Sequence, residues 1–332
     1  MTDAEILQII ADRDVAALDR LAAAADAVRQ THYGKRVFFR GLIEFTNYCK
    51  NDCYYCGLRH GNLTLLRYRL TPDEILECCR QGQKLGYSTY VLQGGEDPYF
   101  TDERVVEIVA AIRAEFPDCA ITLSLGEKSA ESYEKFFRAG ANRYLLRHET
   151  ASAEHYQKLH PSAMSLATRM QCLRDLRKIG YAVGAGFMVG TPWQTPANLL
   201  EDLRFIEEFQ PEMVGIGPFL PQTSTPFGNC LPGDLTLTLK MVALARLLVP
   251  KALMPATTAL GTLSAQGREL GLKHGANVVM PNLSPTATRQ FYALYDNKIC
   301  TGDEAAHCRR CIENRIVGAG FTVDMGRGDP AR

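Results

Sequence analysis

The sequence predicts an α/β protein: a complete (β/α)8 TIM barrel with N-terminal helices and a short cysteine-containing C-terminal extension. Three observations carry this. Eight short strand candidates alternate with helical stretches after residue 36, the pattern of a parallel sheet. A length of 332 residues suits one barrel with a small appendage. Polar and cysteine residues recur at the C-terminal ends of the strand candidates, the edge where a barrel keeps its chemistry.

Taken in order, residues 1–36 read as a helical cap. Two helices, Asp3 to Asp12 and Val15 to Tyr33, carry alanine- and leucine-rich faces that pack outside the core. The barrel spans 37–290, with strands at Val37–Thr46, Tyr90–Gln93, Ala120–Leu125, Arg143–Arg147, Val183–Val189, Met213–Ile216, Leu253–Thr257 and Asn277–Met280. Helices lie between them, among them Pro72–Leu85, Asp102–Ala114, Ser129–Ala139 and Leu166–Ile179. Thr71 is placed to cap the first of these, with Pro72 at its first position and Glu74 closing a capping box. Residues 291–332 form the extension. No domain boundary or low-complexity linker interrupts the barrel.

The chain is 46% hydrophobic, enough for a large core, and its 37 basic and 37 acidic residues cancel. That balance gives no electrostatic case for a nucleic-acid partner. No run approaches the length needed to cross a membrane. The start, Met1-Thr-Asp-Ala-Glu-Ile, has neither the basic nor the apolar region of a secretion signal. Eleven cysteines then read as reduced thiols of a cytoplasmic protein, several of them ligating iron.

The stretch Cys49-Lys-Asn-Asp-Cys53-Tyr-Tyr-Cys56 follows the first strand directly. Three cysteines at this spacing can hold three irons of a 4Fe–4S cubane and leave the fourth without a protein ligand. An open iron can bind the amino and carboxylate groups of S-adenosylmethionine (SAM) and pass an electron to its sulfonium. With the aromatic Tyr55 just before the third cysteine, the motif is that of the radical SAM enzymes. The rival reading is a zinc site completed by His60, but zinc usually takes paired thiol or imidazole ligands.

Other strand ends are polar too. Gln93-Gly94-Gly95-Glu96 ends strand two, Ser124 lies late in strand three and Arg147-His148-Glu149-Thr150 ends strand four. Met188-Val189-Gly190, Thr257-Thr258 and Met280-Pro281-Asn282 end strands five, seven and eight. Gly94 and Gly95 could form only a tight turn; beside the cysteine motif they also let backbone carbonyls reach the methionyl ammonium of SAM. Arg147 and Glu149 could be a surface ion pair of little worth, yet after Tyr144-Leu145-Leu146 they fall at the barrel mouth. Thr257 and Thr258 can cap a helix or bind substrate. His148 reads as structural, as do Cys78, Cys79 and Cys172 within helices; Cys119 and Cys230 carry no motif.

A second cysteine group, Cys300-x7-Cys308-x2-Cys311, lies beyond strand eight. It suits an accessory 2Fe–2S or 4Fe–4S cluster completed by His307 or a non-protein ligand, with zinc as the rival metal. Its position implies a site away from the chemistry and open to solvent.

From about Lys35 to Cys311 the chain resembles the HydE family, radical SAM maturases of FeFe-hydrogenase. The resemblance rests on Ile43-Glu-Phe-Thr-Asn-Tyr-Cys with Cys56-Gly-Leu-Arg, Gly95-Glu-Asp-Pro-Tyr, Thr122-Leu-Ser-Leu-Gly-Glu and Arg143-Tyr-Leu-Leu-Arg-His-Glu-Thr. It continues through Met188-Val-Gly, Met213-Val-Gly-Ile-Gly-Pro-Phe, Pro255-Ala-Thr-Thr-Ala, Gly275-Ala-Asn-Val-Val-Met-Pro-Asn and Tyr295-Asp-Asn-Lys-Ile-Cys. Gly94 stands where the family pattern has a serine.

The resemblance implies a (β/α)8 barrel with the SAM cluster at one end of an internal cavity. SAM would meet Tyr55, Gly94, Gly95, Glu96, Ser124, Arg147, Glu149, Arg169 and Met188. The implied substrate is an Fe(CO)2(CN) unit bound to cysteine, whose sulfur a 5′-deoxyadenosyl radical attacks. Arg143, Thr257, Thr258, Met280 and Tyr295 would hold it. Other maturases and an electron donor such as ferredoxin or flavodoxin are the implied partners.

Two enzyme rivals share the fold. Biotin synthase-like proteins keep a sacrificial cluster on strand cysteines, and strands two, four, five and eight here have none. Against a methylornithine synthase stand the tail cysteines and the Arg143–Thr150 string. A non-catalytic iron–sulfur carrier would have no use for Gly94, Gly95, Arg147 and Glu149 around an open iron.

Overall fold

The computed structural model describes residues 1–331. Two helices open the chain, Asp3–Ala11 and Val15–Tyr33, each started by a side-chain cap, from Thr2 and from Asp14. They pack on the outer helices Pro196–Phe209 and Leu235–Leu248. Eleven strands follow among the described residues: β1 Arg36–Phe39, β2 Gly41–Thr46, β3 Thr89–Gly94, β4 Ala120–Ser124, β5 Arg143–Leu145, β6 Ala182–Ala185, β7 Met188–Val189, β8 Met213–Val214, β9 Gly217–Pro218, β10 Val278–Val279 and β11 Thr322–Asp324.

The main sheet is parallel, in the order β2-β3-β4-β5-β6-β8. Beyond β8 the pairing thins to single bridges, Met213 with Leu253 and Pro255 with Val278, and Leu42 of β2 bridges Asn282. Backbone N–H groups of Phe38, Arg40 and Leu42 donate to the carbonyls of Asn277, Val279 and Pro281 at 2.9–3.0 Å. The eighth strand segment thus runs along the first.

Helix starts follow local chemistry. Thr71 and Glu74 exchange the two bonds of a capping box with Pro72 at the first position, as the sequence predicts. Strand lengths differ from expectation. The first predicted strand breaks at Arg40 into β1 and β2, and the fifth breaks at Gly186, which has φ +147°. A Cβ on Gly186 would meet Gly215 O at 2.0 Å, so two backbones approach where a side chain would separate them. β11 has no counterpart in the sequence reading; it pairs with β1 and returns the C-terminal residues to the foot of the sheet.

Side chains alternate along each strand. Ile43, Phe45, Leu92, Leu123, Tyr144 and Val183 pack in the core under the helices. The opposite set, Leu42, Glu44, Gln93, Ser124, Leu145, Arg147 and Met280, lines an internal cavity with Gly215 and Gly217. Glycines on that inner wall leave room inside.

At the foot of the sheet Arg143, the first residue of β5, is 1% exposed. Its Nη2 donates to Arg327 O and to Asp329 Oδ1, both at 2.7 Å. This corrects the expected substrate role of Arg143. At the N-terminal end of its strand it lies a full strand length below the mouth, and it is not among the cavity's lining residues.

Candidate active site

The site forms at the C-terminal ends of the strands. After β2, residues 47–70 loop outward carrying Cys49, Cys53 and Cys56, and Arg67 pins that loop by donating to the carbonyls of Leu58 (2.9 Å), Arg59 (2.7 Å) and Asn62 (3.1 Å). Asn47 Nδ2 ties its base to Phe291 O at 2.7 Å. The loop abuts the end of β3: Lys50 N–H donates to Glu96 O at 2.9 Å. A Cβ on Gly95 would meet Tyr48 O at 2.1 Å and Cys49 Cβ at 2.8 Å, so this close approach requires glycine. Gly94 lines the cavity beside it.

Burial pushes all three loop thiols up, Cys56 to about 12. Next after burial, Cys53 is pushed further by Cys56 and Cys49, and Cys56 by Cys49, so the thiols face one another. Bound metal would have to hold them as thiolates. Among the described residues no three His, Cys, Asp or Glu side chains converge as a single ion needs. Three thiols on one loop without a fourth suit the three ligated irons of a cubane.

Tyr55 and Cys56 reach the cavity wall. His160 Nδ1 donates to Tyr156 O at 3.0 Å, which leaves Nε2 to accept from Tyr55 O–H at 3.1 Å. Opposite them, Glu149 sits in the left-handed region at φ 67°, fixed by its N–H to Gly186 O and its carbonyl to Met188 N–H. Strain of this kind persists where neighbours impose it. Arg147 pairs with Glu149 at 3.1 Å and Arg169 with Glu127 at 2.7 Å. Glu149 Oε2 and Arg169 Nε are the atoms of these two ion pairs. Both residues line the cavity.

Of the residues expected to hold SAM, Tyr55, Gly94, Ser124, Arg147, Glu149, Arg169 and Met188 line one cavity of about 320 Å³, large enough for a small-molecule ligand. Gly95 and Glu96 stand behind it. Glu96 Oε1 accepts from Glu127 N–H at 2.9 Å and its other oxygen lies 3.5 Å from Lys50 Nζ, so it braces the cysteine loop instead of facing the cavity. His148 is fully buried beside Asp202, a structural position.

Thr257, Thr258, Met280 and Tyr295 line the same cavity. Thr257 also caps a helix, its Oγ1 accepting from Leu260 N–H at 3.3 Å. Burial raises the Tyr295 phenol to about 12. Sequence reasoning missed Leu42, Glu44, Tyr292 and Lys298 on this wall. Glu44 left one signal, a carboxylate inside an otherwise apolar strand. Lys298 left none, because it arrives on an irregular segment.

The tail cysteines lie elsewhere than expected. Cys308 is 2% exposed, and Cys300 borders a small void behind the strand-eight wall together with Thr258, Arg268, Met280 and Lys298. Two of the three thiols therefore lie close behind the cavity wall, with Cys308 shut off from solvent. Cys300 accepts from the Cys308 thiol, which lowers Cys300 and raises Cys308. Cys311, one helical turn on, is exposed, and His307 turns away to Asp303. Two thiols are together and a third is within a turn, which fits an accessory centre only in part.

Among the described residues no helix is long and apolar enough to cross a membrane. Residues 43–206 match the model of the Radical SAM superfamily. The chain is 48% identical over 298 residues to the [FeFe] hydrogenase maturase subunit HydE of Thermotoga maritima, covering 90% of this chain and 85% of that protein. It is 33% identical to a 3-methylornithine synthase of Methanosarcina barkeri, covering 90% and 84%. The crystal structure of methylornithine synthase superposes with a TM-score of 0.88 at 31% identity, over 97% of this chain and 94% of the other. With the cysteine loop and cavity in place, these likenesses settle the lineage: the chain belongs to the radical SAM superfamily and, within it, to the HydE-type maturases of FeFe-hydrogenase.

Proposed function

We propose that the protein cleaves SAM reductively and directs the resulting 5′-deoxyadenosyl radical onto the sulfur of an iron-bound cysteine, in an Fe(CO)2(CN) precursor of the hydrogenase di-iron subcluster. The supporting observation is one continuous cavity, with Tyr55, Cys56, Arg147 and Glu149 at one end and Thr257, Thr258, Met280 and Tyr295 on its wall. A closed (β/α)8 barrel is part of this reading, supported by the backbone bonds that join residues 277–283 to the first strand.

Cys49, Cys53 and Cys56 would ligate a 4Fe–4S cluster, which when bound supplies the electron that breaks the SAM sulfonium bond. The chain's own residues then place the reactants. Arg147 and Arg169 offer cations to the SAM carboxylate, and Glu149 Oε2 is an acceptor for a hydroxyl or ammonium. Gly94 lets backbone approach the ligand. Thr258 donates to a substrate anion, and Met280 gives a soft apolar surface. Enclosure keeps a primary carbon radical from water and stray hydrogen donors. A partner maturase would deliver the iron precursor, and a ferredoxin or flavodoxin the electron.

The rival is a lysine rearrangement, favoured by the likeness to methylornithine synthases. Both reactions begin with SAM cleavage, so the assay supplies the reduced enzyme with either lysine or the cysteine–iron synthon. An adenosyl–cysteine adduct from the synthon supports our reading. Methylornithine from lysine, with no such adduct, overturns it.

A further inference from the structure

We infer that Lys298 binds the anionic end of the substrate, held in place by Glu44; this rests on the function proposed above. An anionic, carboxylate-bearing ligand needs a cation at its own end of the cavity. Arg143, expected to provide it, is taken by Asp329 at the foot of the sheet. Arg147 and Arg169 stand at the SAM end, paired with Glu149 and Glu127. Lys298 remains. It lines the cavity, and with Thr258 and Met280 it also borders the void behind that wall.

The geometry fits a presented donor. Lys298 Nζ lies 2.5 Å from Glu44 Oε1 and 3.0 Å from Tyr292 O, so two of its three N–H groups are spent on fixing it. Its ammonium also lies 4.7 Å from the Tyr292 ring. The third N–H is left for the cavity. Glu44 is just as firmly set: Asn282 Nδ2 donates to Oε2 at 2.7 Å, and the Glu44 N–H donates to Ser284 Oγ at 2.7 Å. Gln93, donating to Tyr292 O–H at 3.2 Å, extends the support.

A stabilising role alone explains the pair poorly. The Lys298 and Glu44 side chains are 9% and 2% exposed, and desolvating such a pair cancels most of its Coulombic gain, so apolar residues would serve stability as well. Against a cavity wall the same pair has a use, as a preorganised charge that a carboxylate or cyanide nitrogen can meet without rearrangement.

The test measures KM for the cysteine–iron synthon, with iron content and melting temperature recorded for every variant. Lys298→Met should raise KM at least about tenfold, the worth of one hydrogen bond to a charged group. Lys298→Arg should recover most of that loss. Should Lys298→Met leave Glu44 uncompensated and fail to fold, the double variant Glu44→Gln/Lys298→Met removes both charges and should show the same rise. Glu44→Gln alone should raise KM, though less than Lys298→Met does, because the amide oxygen still accepts from Lys298 but no longer holds it by charge. Wild-type KM in both Lys298→Met and the double variant overturns the inference, and wild-type KM in Glu44→Gln overturns the positioning role given to Glu44. A wild-type enzyme that does not process the synthon sinks the functional reading itself, and the assignment with it.

Discussion

The Arg268 guanidinium approaches Cys300 Sγ at 3.6 Å through Nη1 and 3.7 Å through Nη2. Its Nη2 also donates to Thr258 Oγ1 at 3.3 Å. A single arginine therefore links the tail thiols to a residue of the cavity wall. Anything that changes charge at Cys300 competes for a donor that Thr258 also uses, so the tail thiols are linked to the cavity wall through Arg268.

The triple variant Cys300→Ala/Cys308→Ala/Cys311→Ala should lose any tail iron yet still form 5′-deoxyadenosine, because none of these thiols lies in the cysteine loop. Its melting temperature should fall, since Cys308 is buried against Ile312 and Ile316 in the core. Complete loss of 5′-deoxyadenosine with the loop cluster fully loaded would make the tail site an obligatory electron route.

Glu149→Gln should weaken SAM binding about tenfold while leaving the cluster's absorbance intact. The amide keeps the volume but removes the charge that balances Arg147 at 3.1 Å on the cavity wall. Equilibrium dialysis with labelled SAM reads this directly. Unchanged affinity would take Glu149 out of the SAM site.

The Arg143–Asp329 pair gives a stability prediction. Asp329→Ala should cost about 1–3 kcal/mol in urea unfolding, because it leaves a buried guanidinium with only the Arg327 carbonyl. Arg143 Nη1 is already without a partner. The synthon KM should hold, since the pair lies at the foot of the sheet. A rise in KM with unaltered stability would return Arg143 to the substrate.

Much of this was legible in sequence, and the failures share a cause. The cysteine loop, Tyr55, Arg147, Glu149 and Thr257 were readable because a parallel barrel puts strand ends at one mouth, and strand ends can be counted. Arg143 misled because motif membership does not say which end of a three-residue strand a side chain occupies. Lys298 was invisible because its irregular segment carries no periodicity. β11 was missed because three residues, Thr322–Asp324, are too few for alternation to show.

Acid should destabilise the protein between pH 6.5 and about 4. Burial lowers His155 to about 4 and His160 to about 3. Both are neutral in the fold, while the unfolded chain takes up protons as pH drops below 6.5. The stability they contribute is therefore full above pH 6.5 and is lost towards pH 4, by at most about 1.4 kcal/mol per pH unit for each histidine. His148 is also lowered, but burial raises its neighbour Asp202, whose proton uptake runs the other way. Urea midpoints from pH 4.5 to 7.5 test this, and His155→Gln should flatten the profile. A flat wild-type profile would refute it.

The closest contact between the cysteine loop and the barrel supplies the last prediction. Cys53→Ala removes a ligand, so reductive SAM cleavage should vanish and cluster absorbance should fall. Gly95→Ala removes none, yet its new methyl would meet Tyr48 O at 2.1 Å and Cys49 Cβ at 2.8 Å. Both are too short to tolerate, and the first is backbone, which cannot swing aside as a side-chain end can. The loop must therefore shift, taking Cys49 with it and breaking the bond from Lys50 N–H to Glu96 O. Gly95→Ala should fold, because the clash lies outside the hydrophobic core, but it should reconstitute less than half the loop iron and bind SAM weakly. Gly94→Ala is the comparison: its methyl would meet Thr46 Cγ2 at 2.7 Å and the Phe45 ring at 3.3 Å, side-chain atoms and not the backbone of the cysteine loop. Iron loading should therefore rank wild type, Gly94→Ala, Gly95→Ala. Full loading of Gly95→Ala would mean that the loop has slack the structure does not show, and that this glycine serves only as a turn.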